Sequence, residues 1–189
     1  GKVLVVDDSG TDRLIIKSML VGYTIRFACD GVEALHTIEE DADIEIVILD
    51  LNMPNMDGFQ VLNALKSDEK YKKLRTIILT NYDEMENEIK GLQLGAVDYI
   101  RKPIHMESLK ARIEIHLELL KIQHLLEEKL YEHELTLDTV LQQAPIGIAI
   151  SQSNEPYVTE SADFVSINPA FEKITGRTRE ELNNIGWAQ

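Results

Sequence analysis

The sequence predicts an α/β chain. Its first hundred residues should form a doubly wound parallel sheet of five strands in the order 2-1-3-4-5, followed by a long α-helix and a truncated α+β segment. Three observations predict this. Five short, almost continuous apolar runs alternate with amphipathic stretches between residues 3 and 101. Residues 106–143 contain neither Gly nor Pro and are dominated by Leu, Glu, Lys and Ile. After Ala144-Pro145 the pattern returns to short apolar runs separated by polar turns.

The strands are expected at residues 3–7 (VLVVD), 24–28, 44–50 (IEIVILD), 76–80 and 97–101. Continuous apolar runs, rather than an alternation of apolar and polar residues, are what strands buried on both faces require. The intervening helical patterns cover residues 11–21, 32–40, 59–67 and 84–94. Ligands of such sheets lie beyond the carboxyl ends of the strands, so the chemistry is sought there.

The second part, residues 106–143, reads as one helix or two nearly collinear ones. Ile115, Leu119, Ile122, Leu126, Leu130, His133, Leu137 and Val140 repeat at steps of 3 and 4, close to a heptad seam. A parallel coiled coil between two copies is the preferred reading, because a polar helix without a partner is marginal in water. The alternative is that its first turns pack on the sheet domain while the rest is solvated. Beyond it, residues 146–151 (IGIAIS) and 164–168 (FVSIN) read as strands, Pro169 opens a short helix, and 179–182 form another helical turn.

The chain has 189 residues, a net charge of −14 and a single cysteine, Cys29. The acidity is spread out: residues 1–103 carry 12 Lys and Arg against 19 Asp and Glu, and no later segment is basic. Direct binding of nucleic-acid phosphates is therefore not expected. One cysteine excludes a disulfide framework or a cysteine metal cluster. No run reaches the roughly 18 apolar residues of a membrane helix, and no secretory pattern opens the sequence, so a cytoplasmic protein is expected.

Asp7 and Asp8 close the first expected strand and Asp50 closes the third, which is its neighbour in the proposed order. Three carboxylates in one pocket repel one another unless a hard cation sits among them, and oxygen-only donors point to Mg²⁺. Thr80 ends the fourth strand and Lys102 follows the fifth, adding a hydroxyl and an ammonium. A carboxylate nucleophile for phosphoryl transfer needs little more than these groups.

These residues resemble the response-regulator receiver (CheY-like) family, whose fold is flavodoxin-like. VLVVDDS, LDLNMPNMDG, ILT and YIRKP occur in the family's order, and the separations of Asp50 from Thr80 (30 residues) and of Thr80 from Lys102 (22 residues) are typical of it. The resemblance covers residues 1–120. It implies that Asp50 is the phosphoacceptor, that Asp8 ligates Mg²⁺, that Asp7 assists directly or through water, and that Asn52 lends a backbone carbonyl. Thr80 and Lys102 would bind phosphate oxygens, the Lys102–Pro103 bond would be cis, and Gly58 would let the chain turn into the next helix. Thr80 and Tyr99 would form the switch, although Tyr99 as an ordinary core tyrosine is the alternative. The phosphoryl donor would be a sensor histidine kinase or a phosphotransfer protein. One departure is Asn81, where the family usually has Ala or Gly; its bulk is expected to narrow access and slow phosphorylation or hydrolysis.

Residues 144–189 resemble the opening part of a PAS domain, in A-P-I-G, I-N-P-A-F-E-K-I-T-G and E-E-L, with Asn168, Pro169 and Phe171 central. The polar stretch 152–162 is longer than the turn usual there, and Gly186 leads to Gln189 without the Cys of photoactive flavin PAS domains. His133-Glu134-Leu135 resembles a histidine-kinase phosphoacceptor box but lacks its proline, and is read as a seam or solvated residue. His36, His105, His116 and His124 are read as structural. The leading expectation is a dimeric two-component response regulator relaying phosphorylation through the helix to PAS and an output domain. The alternative is that the intact protein is a signalling enzyme: a diguanylate cyclase of GGDEF type, a cyclic-di-GMP phosphodiesterase or a hybrid kinase.

Overall fold

A computed structural model describes residues 1–81, 84–152 and 163–185. The chain divides into two compact units, Gly1–Gln123 and His124–Gln189. In the first, β1 (Lys2–Val6), β2 (Thr24–Ala28), β3 (Ile44–Asp50), β4 (Arg75–Thr80) and β5 (Asp98–Arg101) form one sheet. All pairs are parallel and the order is 2-1-3-4-5. The connecting helices are α1 (Gly10–Met19), α2 (Gly31–Glu40), α3 (Gly58–Lys66) and α4 (Met85–Gln93); α5 (Met106–Gln143) follows β5, its residues up to Gln123 belonging to this unit and the rest to the second. A short 3-10 turn, Glu69–Tyr71, follows α3.

The apolar strands explain the layering. Val3 and Val5 of β1 and Ile46 and Ile48 of β3 face one side, where they pack with Ile16 and Leu20 near α1 and with Leu109, Ile113 and Leu117 of α5. Leu4, Val6, Val47 and Leu49 face the other side, against Ala34 and Ile38 of α2 and Val61, Leu62 and Leu65 of α3. Each of these buried Val, Leu and Ile side chains contributes about 1.5–3 kcal/mol relative to exposure, so the alternation along each strand fixes which helix covers which face.

Local signals set the helix starts. The Ser9 side chain accepts from Asp12 N–H, and Asp30 caps α2 in the same way through Glu33 N–H. Asp57 and Gln60 form a reciprocal capping box at α3. The structure gives the physical reason for Gly58 at the start of α3. Its backbone is not in the left-handed region; instead, a Cβ there would lie 2.4 Å from the Asp50 carbonyl oxygen and 2.8 Å from Leu51 Cα. Absence of a side chain, not a special dihedral, lets α3 begin against the end of β3.

The second unit holds β6 (Ala149–Gln152) paired antiparallel with β7 (Asp163–Ile167), then α6 (Pro169–Thr175) and α7 (Arg179–Ile185). The buried Asn168 side chain organises it. Its Oδ1 accepts from Ile148 N–H (2.8 Å) and Phe171 N–H (3.0 Å), and its Nδ2 donates to the carbonyls of Leu141 (3.0 Å) and Ile146 (2.9 Å). The long turn read at 152–162 and the Gly186–Gln189 segment lie largely outside the described residues. Along α5 the seam residues Ile115, Leu119, Ile122, Leu126, Leu130, Leu137 and Val140 are all exposed within the chain. Among the described residues, no helix is long and apolar enough to cross a membrane.

Candidate active site

The site sits at the carboxyl ends of β1, β3, β4 and β5. Parallel register brings them together: Val6 pairs with Leu49, Asp50 with Leu79 and Thr80 with Arg101. Asp7 therefore emerges beside Asp50, with Thr80 and Lys102 on the other flank. Oxygens of Asp7, Asp8 and Asp50 lie within 4.8 Å of one another. Asp7, Asp50 and Thr80 are buried while Asp8 is exposed, which leaves the cluster open on the Asp8 side.

Local hydrogen bonds hold the acids in place. Ser9 N–H donates to Asp7 Oδ1 at 2.8 Å, and Asn52 N–H to Asp50 Oδ1 at 3.2 Å. The Arg13 guanidinium donates to the Asp7 carbonyl. Lys102 N–H donates to the Thr80 carbonyl at 2.8 Å, which aligns the loop after β5, and the Lys102–Pro103 peptide is cis.

The Lys102 ammonium binds Asp50 Oδ2 at 2.8 Å, Asp7 Oδ2 at 3.1 Å and Asp12 Oδ2 at 3.2 Å. Burial opposes its charge, yet the hydrogen bond and charge of Asp50, followed by those of Asp7, outweigh burial and raise its pKa above the ordinary 10.5. Burial lifts the Asp7 carboxyl above its ordinary 3.8, and the Asp50 charge pushes the same way, against the Ser9 N–H and Lys102.

Three carboxylates thus share one ammonium, with the Asp8 carboxylate beside them, and the most buried of them resists ionisation. That shortage of positive charge, with donors that are all hard oxygens, fits a divalent cation of the Mg²⁺ kind. Asp7, Asp8 and Asp50 are the side chains placed to hold it.

Thr80, at the end of β4, donates from Oγ1 to Glu88 Oε1 of α4 at 3.2 Å. Asn81 is exposed; its N–H and Nδ2 donate to the Glu84 carboxylate at 3.3 and 3.1 Å. Tyr99 is half-buried and packs at the edge of the core. Its ring lies 5.6 Å from the Arg101 guanidinium and 5.9 Å from that of Arg112. It lines a recess of about 270 Å³ with Ile100, Arg101, His105, Ser108 and Arg112.

The structure thus gathers Asp7, Asp8, Asp50 and Lys102, places Thr80 in the same rim, and sets Tyr99 on the outer side of β5. Asp12, Glu84, Glu88 and Arg101 were not anticipated from the sequence. Asp12 carries the one usable signal, one helical turn beyond the acidic pair. Of the histidines, His116 is buried on α5 with Nε2 3.4 Å from Asp98 Oδ2, while His36, His124 and His133 are exposed.

The profile of the response regulator receiver domain matches residues 3–114. Chemotaxis protein CheY1 of Helicobacter pylori is 38% identical over 117 residues, 60% of this chain and 94% of that protein. The probable transcriptional regulator ycf27 of Guillardia theta is 39% identical over 114 residues, 59% of this chain and 43% of that protein. Among solved structures, a probable two-component system response regulator/GGDEF domain protein superposes with a TM-score of 0.61 at 31% identity, covering 64% of this chain and 50% of that one. The chain therefore spans half or less of the length of two of these three relatives. With the five-stranded 2-1-3-4-5 sheet and the match over residues 3–114, the chain belongs to the response regulator receiver domain family.

Proposed function

We propose that Asp50 accepts a phosphoryl group from the phosphohistidine of a sensor histidine kinase or phosphotransfer protein, and that the chain acts as a two-component response regulator. The observation that carries this reading is the Lys102–Asp50 contact of 2.8 Å inside a cluster of carboxylates. A carboxylate oxygen of Asp50 attacks phosphorus, the bond to the donor imidazole breaks, and an acyl phosphate remains on Asp50. Lys102 would bind the phosphoryl oxygens by its charge, and Thr80 by its hydroxyl once that hydroxyl turns toward them. Bound Mg²⁺, held by Asp7, Asp8 and Asp50 with the Asn52 carbonyl, would supply charge neutralisation. Thr80 and Tyr99 then form the switch between the site and the β5–α5 face. A cytoplasmic location is part of the same proposal.

The receiver is proposed to cover residues 1–120, with residues 106–143 continuing its last helix as a linker. The exposed apolar seam on α5 supports pairing of two copies through that helix. For residues 144–189 we propose the opening part of a PAS domain. Support comes from the antiparallel β6–β7 pair and from Asn168, which ties α5, the strand entry and α6 together. A second reading is that the intact protein is a signalling enzyme of GGDEF type under receiver control, favoured by the solved relative of that description, of which this chain spans half.

The test is incubation with Mg²⁺ and acetyl phosphate followed by intact mass, alongside Asp50→Asn. The expected result is a gain of one phosphoryl group in the wild type alone. No gain, together with no response to beryllofluoride, would reduce the domain to a scaffold.

A further inference from the structure

Thr80 does not present a free hydroxyl to the pocket. Its Oγ1 is 3.2 Å from Oε1 of Glu88, a carboxylate on the first turn of α4 that is only 4% exposed. A buried carboxylate needs a strong partner, and Arg101 of β5 supplies one in a fork: Nε to Oε1 at 2.6 Å and NH2 to Oε2 at 2.9 Å. The Arg101 hydrogen bond holds the Glu88 carboxyl below its ordinary pKa, with Thr80 assisting.

We propose that Glu88 is a positioning residue that holds the Thr80 hydroxyl away from the phosphoryl pocket and so sets that pocket's affinity for a phosphoryl group. This deepens the receiver reading and rests on it. The reason lies in donor counting. An ionised carboxylate only accepts, so the hydroxyl proton of Thr80 is committed to Glu88. A phosphoryl group on Asp50 presents acceptor oxygens only, and needs that same proton. One proton cannot serve both, and phosphorylation must break the Thr80–Glu88 bond before Thr80 can contribute.

The consequence reaches the surface. Thr80, Glu88 and Arg101 belong to β4, α4 and β5, and the Arg101 guanidinium lies 5.6 Å from the Tyr99 ring. Release of Thr80 changes what Glu88 and Arg101 hold beside Tyr99. By reciprocity, a partner that draws Glu88 away from Thr80 favours the phosphorylated state by the same factor.

Titration of the chain with beryllofluoride in saturating Mg²⁺, followed by calorimetry, tests this. Glu88→Ala is expected to tighten binding about 10-fold, the value of one hydrogen bond to a charged group. Glu88→Gln should move it in the same direction by less, because an amide oxygen is a weaker acceptor; it also serves if the alanine variant fails to fold. In a Thr80→Ala background the Glu88 substitutions should change affinity by less than about 2-fold, as coupling through Thr80 requires. Unchanged or weaker binding in the folded Glu88 variants, or an equal gain without the Thr80 hydroxyl, would overturn the inference while leaving the receiver reading intact. Failure of the wild type to bind beryllofluoride would instead overturn the receiver reading, and this inference with it.

Discussion

Lys102, immediately after β5, reaches past β4 to place its ammonium 2.8 Å from Oδ2 of Asp50 at the end of β3. The same nitrogen touches Asp7 and Asp12, so one cation organises acids from β1, α1 and β3. The side chain is about a quarter exposed, at 23%.

Removing that cation leaves three carboxylates facing one another. Lys102→Met is expected to lower stability by about 2 kcal/mol in chelator, between the values for exposed and buried pairs. Mg²⁺ should restore part of the loss, while modification by acetyl phosphate is abolished. Urea denaturation with and without Mg²⁺ measures the first effect. The sign with pH follows from a folded pKa above 10.5: the Lys102 contribution is fully present below 10.5 and fades as pH rises through the folded value.

Mg²⁺ itself should stabilise the protein. At 100 times its dissociation constant, the gain is about 2.7 kcal/mol, or several degrees in melting temperature. Asp8→Ala removes an exposed ligand with little effect on packing. In that variant the melting curve should lose its response to Mg²⁺; a shift equal to wild type would remove Asp8 from the metal site.

Glu88 should make the fold acid-sensitive in a defined direction. Its carboxyl titrates below the ordinary 4.5 in the folded chain because of Arg101. The contribution is therefore present above 4.5 and disappears as pH falls through the folded value. Glu88→Gln is expected to be less stable than wild type by about 2 kcal/mol at pH 7, and the gap should close as pH falls below 4.5 and the wild-type carboxyl takes up its proton. Denaturation curves of both proteins across an acid pH series decide this.

Asn81 faces Glu84 through two hydrogen bonds beside the pocket. Asn81→Ala should open access to the acyl phosphate and raise the rate of phosphorylation or of hydrolysis several-fold, on the order of 1 kcal/mol. Decay of the phosphorylated protein, followed by intact mass, measures it. An unchanged rate would mean that Asn81 only anchors the start of α4.

The α5 seam predicts a dimer. Leu126 and Leu130 are 62% and 63% exposed within the chain, too much apolar surface along one stripe for a solvated helix. Light scattering should give a dimer for wild type and a monomer for Leu126→Glu/Leu130→Glu. These positions lie beyond the residues of α5 that are buried against the sheet, so the receiver should stay folded.

By itself the sequence determined the five strands, their parallel order and the positions of Asp7, Asp8, Asp50, Thr80 and Lys102. Short continuous apolar runs alternating with helical patterns read as parallel strands covered on both faces, and the residues that end such strands meet at one edge of the sheet. Boundaries moved by a residue or two, as at β1, which ends at Val6, and α1, which begins at Gly10. The tertiary structure alone decided what holds those residues. Asp12, Glu88 and Arg101 read as ordinary surface charges, because helical and strand-end patterns do not say which charged residue turns inward. Gly58 shows the same divide: a glycine before a helix is visible in sequence, but that a Cβ there would collide with the Asp50 carbonyl oxygen depends on how the elements pack. Strand positions follow from the local pattern of burial, whereas the partners of a buried charge follow from how the helices dock.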